Sequence, residues 1–217
     1  APPVTSAVRP ARLFMVATSG TTHRTFIPYS DRNMLLKKNN QARKYVGIGG
    51  RAAPLFDVAA FGRVAVDLYG EQFGTALEET RSFRRYLGGS SGNLAVGCAR
   101  LGLRTALVSR VGDDPMGRYL RTVLEREGVG LHALSVDPAH RTGLAFLGMR
   151  RADAATLDFY RHEAADMMLS VGPREAAVIG SARLLAVTGT HMSQPETARA
   201  VEEATRCARG AGASLAL

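Results

Sequence analysis

A chain of 217 residues with 46% hydrophobic content is long enough for one large domain or two small ones, and apolar enough to bury a core. Its net charge of +9 suits nucleic acid at first sight, but residues 1–56 hold nine Lys and Arg against the single acid Asp31, while residues 57–217 hold 19 Arg against 18 acids. The near-neutral body has no interleaved aromatic and basic pattern, which argues against a nucleic-acid partner, and no apolar run approaches the roughly 18 residues of a membrane span.

Residues 1–54 show no sustained periodicity, and Pro2, Pro3, Pro10 and Pro28 interrupt any helix, so this stretch reads as a basic, poorly ordered extension. It has no continuous apolar segment of the kind a secretory leader needs. Gly47 to Ala52 fits a dinucleotide-type glycine pattern in form only, because Pro54 and a strand follow where a helix is required. The two cysteines, Cys98 and Cys207, sit in small-residue helical patterns with no CxxC or Cys/His cluster; buried free thiols in a cytoplasmic protein are expected, and no metal site.

From Leu55 a strand-and-helix alternation begins. Leu55–Val66 reads as one buried strand, with Asp67 at its C-terminal end, where sites form in α/β sheets. Glu79–Leu87 reads as a half-exposed strand leading into Gly88-Gly89-Ser90-Ser91-Gly92. That glycine cluster is either a tight turn or a backbone stretch that a ligand can approach, and the small-residue helix Asn93–Leu101 follows it. Gly102 stops that helix, and Thr105–Val111 is a second buried strand. Asp113-Asp114-Pro115 opens the next helix as an acidic cap with Pro in the first turn, and both aspartates read as caps rather than catalytic acids. Leu131–Val136 is a short strand, Gly143–Arg150 and Thr156–Arg161 a hairpin, and Pro173–Ser181, Arg183–Thr188 and Pro195–Gly210 a helix, a strand and a helix, the last behind a capping box at Ser193–Glu196. His162 and His191 read as local hydrogen-bonding groups. The apolar run Ser214–Leu217 reads as the start of one more buried parallel strand, from which the chain is expected to be truncated within its sheet.

This order predicts a three-layer α/β/α domain with a mainly parallel sheet. The half-polar strands near 79–87, 143–150 and 156–161 do not suit a sheet covered on both faces, and predict a separate small antiparallel lid.

The motifs Gly62–Leu68, Tyr86–Ser90, Gly92-Asn93, Val111–Arg118, Phe159–Asp166 and Val187–Thr190 together resemble the ribokinase-like (PfkB-type) carbohydrate kinases over residues 55–217. Among these the chain looks most like the kinases of inositol breakdown that phosphorylate 5-dehydro-2-deoxygluconate; kinases for fructose and 2-keto-3-deoxygluconate use close variants. The resemblance implies that Asp67 and Asn93 bond sugar hydroxyls, and that Gly88 and Gly89 let the sugar lie against backbone. It also implies that Arg161, otherwise an ordinary surface arginine, pairs with a sugar-acid carboxylate, with Arg63 as a second candidate. Ser90 and Ser91 stand where ribokinase has a lysine and a glycine, which points to a different substrate choice. ATP, Mg²⁺, a small-molecule sugar acid and a homodimer paired through the lid are implied for the family. The family's Gly-Ala-Gly-Asp turn, which carries the catalytic base, occurs nowhere in the sequence, nor does a GxxxxGK[ST] loop. The 217 residues alone are therefore expected to bind sugar without turning it over. A non-catalytic sugar-binding or regulatory module of the same fold is the alternative.

Overall fold

The apolar run from Leu55 to Val66 is two strands rather than one. The computed structural model describes residues 54–151 and 154–217, so the expectations for the extension up to residue 53, including the glycine pattern at 47–52, fall outside the described residues. The chain divides into two units, Ala1–Lys44 and Tyr45–Leu217, and everything described lies in the second.

β1 (Phe56–Phe61) ends at Gly62, whose φ of 129° is left-handed and whose absent Cβ would lie 2.8 Å from Ser91 Oγ. The chain turns there and resumes as β2 (Ala65–Gly70) in a different sheet. Apolar periodicity alone cannot mark a strand that leaves one sheet for another while staying buried.

The larger sheet has five parallel strands in the order β5-β4-β1-β8-β9, with β4 at Thr105–Gly112, β5 at Gly130–Asp137, β8 at Ala182–Val187 and β9 at Ser214–Ala216. Four helices cover it: α1 (Ser90–Arg100), α2 (Pro115–Arg126), α3 (Pro173–Gly180) and α4 (Pro195–Gly210). Strand alternation divides the core in two. Ala59 and Phe61 of β1, with Ala106 and Val108 of β4, pack on Ile179 of α3 and on Val201 and Ala204 of α4. Ala60 and Leu107 face the other way, onto Ala95 and Val96 of α1 and Leu120 and Leu124 of α2. This is the expected three-layer α/β/α arrangement.

The smaller sheet corrects the expectation of an antiparallel lid. It has four strands in the order β3-β2-β6-β7, with β3 at Phe83–Gly88, β6 at Leu144–Arg151 and β7 at Ala154–Tyr160. It is mixed, because β2 pairs antiparallel with β3 but parallel with β6. Val66, Leu68, Leu87 and Leu144 join the core under α1 and α2, so the lid is rooted in the body through one of its faces. On that face Phe83, Phe146 and Tyr160 stack edge to face, 5.3 and 5.0 Å apart.

Local chemistry sets the ends of the elements. Asp114 caps α2, accepting the Gly117 N–H at 2.8 Å and the Thr142 N–H at 2.8 Å, which ties the helix to the start of β6. Asp113 is exposed and pairs with Arg118 at 3.4 Å. α1 begins three residues before Asn93, with Gly89 at its cap, and Gly102 follows its end at φ 84°. The box expected before α4 does not form: the cap is Gln194, whose side chain makes no capping bond, while Thr197 donates back to the Gln194 carbonyl at 3.0 Å. At α3 the Glu175 carboxylate instead accepts the Gly172 N–H at 3.1 Å. The Cys98 and Cys207 thiols are free, as expected, but only half-buried. No helix among the described residues is long and apolar enough to cross a membrane.

Candidate functional site

Strand order locates the site. From β1 the chain steps outward to β4 and β5, then returns through the β6–β7 hairpin to the opposite side of β1 as β8. The direction of winding reverses between β1 and β8, and a crevice opens at the carboxyl ends of such strands. Four segments meet there: Gly62–Val64 after β1, the Gly89 cap and first turn of α1, Thr188–His191 after β8, and the base of the lid.

Hydroxyl groups hold the crevice together. Ser90 Oγ lies 2.7 Å from both Thr188 Oγ1 and Thr190 Oγ1. Ser91 Oγ donates to the Phe61 carbonyl at 2.8 Å, and Ser109 Oγ donates to the Gly62 carbonyl at 2.6 Å. The start of α1 is thereby fixed to the ends of β1 and β8, and its small side chains permit the close approach.

Asp67 lies in the middle of β2 in the lid, not at the end of a strand of the main sheet. Register places it between Tyr86 of β3 and Ala145 of β6, and Ala145 pairs in turn with Phe159 of β7. These residues share the face opposite the rooted one. Tyr69 and Tyr86 stack edge to face on it at 5.3 Å, and Phe159 is 53% exposed there. The Asp67 carboxylate folds over Gly88 and fills the space a Cβ there would need. Gly89, at φ 81°, presses against the backbone of Arg63 and Val64, 2.6–2.9 Å from where its Cβ would be. Both glycines thus permit close approach within the protein, and with a carboxylate over Gly88 the turn does not fit a polyphosphate. Asn93 Nδ2 donates to the Gly89 carbonyl at 2.9 Å. Asp67, Gly88, Gly89 and Asn93 therefore share one neighbourhood.

Arg161 stands apart from them, just past β7. Its side chain is 9% exposed and its guanidinium is bonded to Asp166, which is fully buried. Its Cγ and Nε pack 3.2 Å from the position of a Cβ on Gly143, and Nε has no hydrogen-bond partner among the described residues. Burial pushes the Asp166 carboxyl above 3.8, against the pull of Arg161. Arg63 faces the crevice: Nη1 donates to the Thr190 carbonyl at 3.5 Å and the guanidinium lies 5.7 Å from the centre of the Phe159 ring. A hollow of about 380 Å³ opens along Asp158–His162, with Arg161 in its lining.

His191 corrects the expectation of a local hydrogen bond. It is 1% exposed, and neither ring nitrogen has a partner among the described residues. Its ring stands edge to face on Phe61 at 5.6 Å. Burial, and then the charge of Arg161, pull its pKa from 6.5 down to about 4. The sequence carries no signal for this, nor for the Arg161–Asp166 pair. Among the described residues no three His, Cys, Asp or Glu cluster as a metal site would require, and none of the groups gathered here fits ATP or Mg²⁺.

Residues 55–216 match the pfkB family carbohydrate kinases. A 5-dehydro-2-deoxygluconokinase of Shouchella clausii is 34% identical over 171 residues, covering 78% of this chain and 52% of its own, and one of Bacillus subtilis is 32% identical over 155 residues, covering 71% and 48%. The chain thus spans about half the length of these curated relatives. Among solved structures, a PfkB protein of Polaromonas sp. JS666 superposes with a TM-score of 0.68 at 30% identity, over 74% of this chain and 54% of that one. A fructokinase of Xylella fastidiosa with bound ATP superposes at 0.65 with 26% identity, over 73% and 47%. By sequence match and by its five-stranded parallel sheet with a rooted lid, the chain belongs to the pfkB family of carbohydrate kinases.

Proposed function

We propose that the protein carrying this chain transfers a phosphoryl group from ATP, with Mg²⁺, to a hydroxyl of 5-dehydro-2-deoxygluconate or a similar keto-sugar acid. The observation that carries the reading is the register that sets Asp67 on the open face of the lid, with its carboxylate over Gly88 and close to the crevice where β1 and β8 end. A carboxylate there accepts bonds from sugar hydroxyls, Asn93 adds an amide at the first turn of α1, and the lid covers the sugar and keeps water from it. The curated relatives' names favour a sugar acid over a neutral sugar. A carboxylate needs a cation, and Arg63 and Arg161 both stand at the base of the lid.

Phosphoryl transfer rests on positioning and charge neutralisation, and the groups described here supply only the sugar side of it. The residues described here hold neither ATP nor the metal in this reading. The 217 residues alone bind sugar without turnover in this reading, and a homodimer paired through the lid belongs to it. A coupled assay on the whole-length protein, with ATP, Mg²⁺ and a panel of keto-sugar acids alongside fructose, tests the reaction. Phosphorylation of an acid is expected, and phosphorylation of fructose alone would overturn the substrate class. Finding no transfer to any sugar, while the chain still binds one in calorimetry, would support the non-catalytic module instead.

A further inference from the structure

We propose that Arg63, at the junction of β1 and β2, is the residue that takes the carboxylate of the sugar acid, so that the choice of acid over neutral sugar is made at the base of the lid. This rests on the sugar-acid reading above.

The two arginines near the lid base differ in what already holds them. Arg161 is 9% exposed, bonded to the buried Asp166, and lies 3.7 Å from Met167 Sδ. Turning it toward a ligand would strand the Asp166 carboxylate in the interior without its partner, which a buried ion pair does not tolerate cheaply. Its place in the fold is that of an anchor between the end of β7 and the 3₁₀ turn Ala165–Met168.

Arg63 carries no such debt. Its contacts are a backbone carbonyl at 3.5 Å, the outer limit of a hydrogen bond, and the face of Phe159. No carboxylate pairs with it among the described residues. Only Nη1 of the guanidinium makes a hydrogen bond among the described residues, and a guanidinium binds a carboxylate through two parallel N–H donors.

Placement agrees with this. Phe159 lies two strands from Asp67 in the register Asp67–Ala145–Phe159, about 10 Å at the usual strand spacing. A short polyhydroxy acid lying across that face would present hydroxyls to Asp67 at one end and its carboxylate to Arg63 at the other. The Ser90–Thr190 hydroxyl pair lies beside the same carbonyl that Arg63 touches, and offers a further donor.

The test is calorimetric titration of the whole-length protein carrying this chain, without nucleotide, with 5-dehydro-2-deoxygluconate and with fructose as the neutral comparison. The unaltered protein is expected to bind the acid at least tenfold more tightly than fructose. Arg63→Met should weaken acid binding by about tenfold or more while leaving fructose within about twofold, and Arg63→Lys, which keeps the charge but not the paired donors, should fall between. Thermal melts of both variants check that the fold is intact. If the unaltered protein prefers the acid and Arg63→Met keeps that preference, the assignment to Arg63 is overturned while the sugar-acid reading stands. If the unaltered protein does not prefer the acid, both fall together.

Discussion

Acidification should destabilise this domain through one histidine. His191 is neutral and buried, with burial and then Arg161 holding its pKa near 4, against 6.5 for an exposed ring. The unfolded chain takes up a proton at that ring below pH 6.5, whereas the folded chain takes it up only near pH 4. The stabilisation from the neutral ring is therefore complete above pH 6.5 and is lost as pH falls toward 4. At about 1.4 kcal/mol per pH unit, the loss reaches about 2–3 kcal/mol by pH 4.5 and about 3–4 kcal/mol once both forms are protonated. His191→Leu removes the titration and also the two ring nitrogens that have no described partner, so it should be within about 1 kcal/mol of the parent at pH 7. Urea unfolding of both chains at pH 7.0, 5.5 and 4.5 gives the comparison. The gap between them should move by about 2–3 kcal/mol in favour of His191→Leu on going to pH 4.5. A gap that stays constant across the three pH values would refute the reasoning, because the shared carboxylates contribute equally to both.

Other outcomes follow from the same geometry. Gly88→Ala puts a methyl group where the Asp67 carboxylate lies, so sugar affinity should fall by about tenfold or more in calorimetry, as it should for Asp67→Ala, with the cooperative melt preserved. Asp166→Ala leaves the Arg161 cation buried without its partner and should cost about 3–5 kcal/mol in denaturant melts, while Arg161→Met combined with Asp166→Leu should recover most of that loss. For Asp114, burial pushes the carboxyl up, but the donors on Thr142 and Gly117 outweigh it and hold the pKa below 3.8. Its stabilisation is thus present above about pH 4 and lost as pH falls further, so Asp114→Asn should flatten the acid limb of the stability curve below pH 4.

The sequence was readable where structure is local. The Asp114-Pro115 start of α2, the stop at Gly102 and the hairpin of β6 and β7 all come from a few adjacent residues with strong backbone preferences. It misled where burial continues across a change of direction. Val64 to Val66 look like more of β1 because they are equally buried, and only the clash that any side chain at Gly62 would make with Ser91, some thirty residues on, marks the break. Of the candidate site, Asp67, Gly88, Gly89 and Asn93 fall together because Asp67 and Gly88 lie in paired strands and Asn93 is one helical turn from Gly89. The Ser90 contacts to Thr188 and Thr190 join residues about a hundred apart, and the anchoring of Arg161 depends on a buried aspartate whose type is common at surfaces. No periodicity encodes such meetings.

The central position of β1 also bears on how the chain is made. β1 is the first described strand, yet its partner on one side is β8, with Phe56 paired to Ala182. At about 5–20 residues per second, synthesis takes roughly 6–25 s to cover the 126 residues between them (182 − 56). Through that interval the nascent β1, lined with Val58, Ala59, Ala60 and Phe61, has one hydrogen-bonding edge that its native neighbour cannot yet cover. The Ser90–Thr188 contact cannot form before that delay ends either, so the crevice is assembled late, and the growing chain has a window in which holdase chaperones and aggregation compete for the same bare strand.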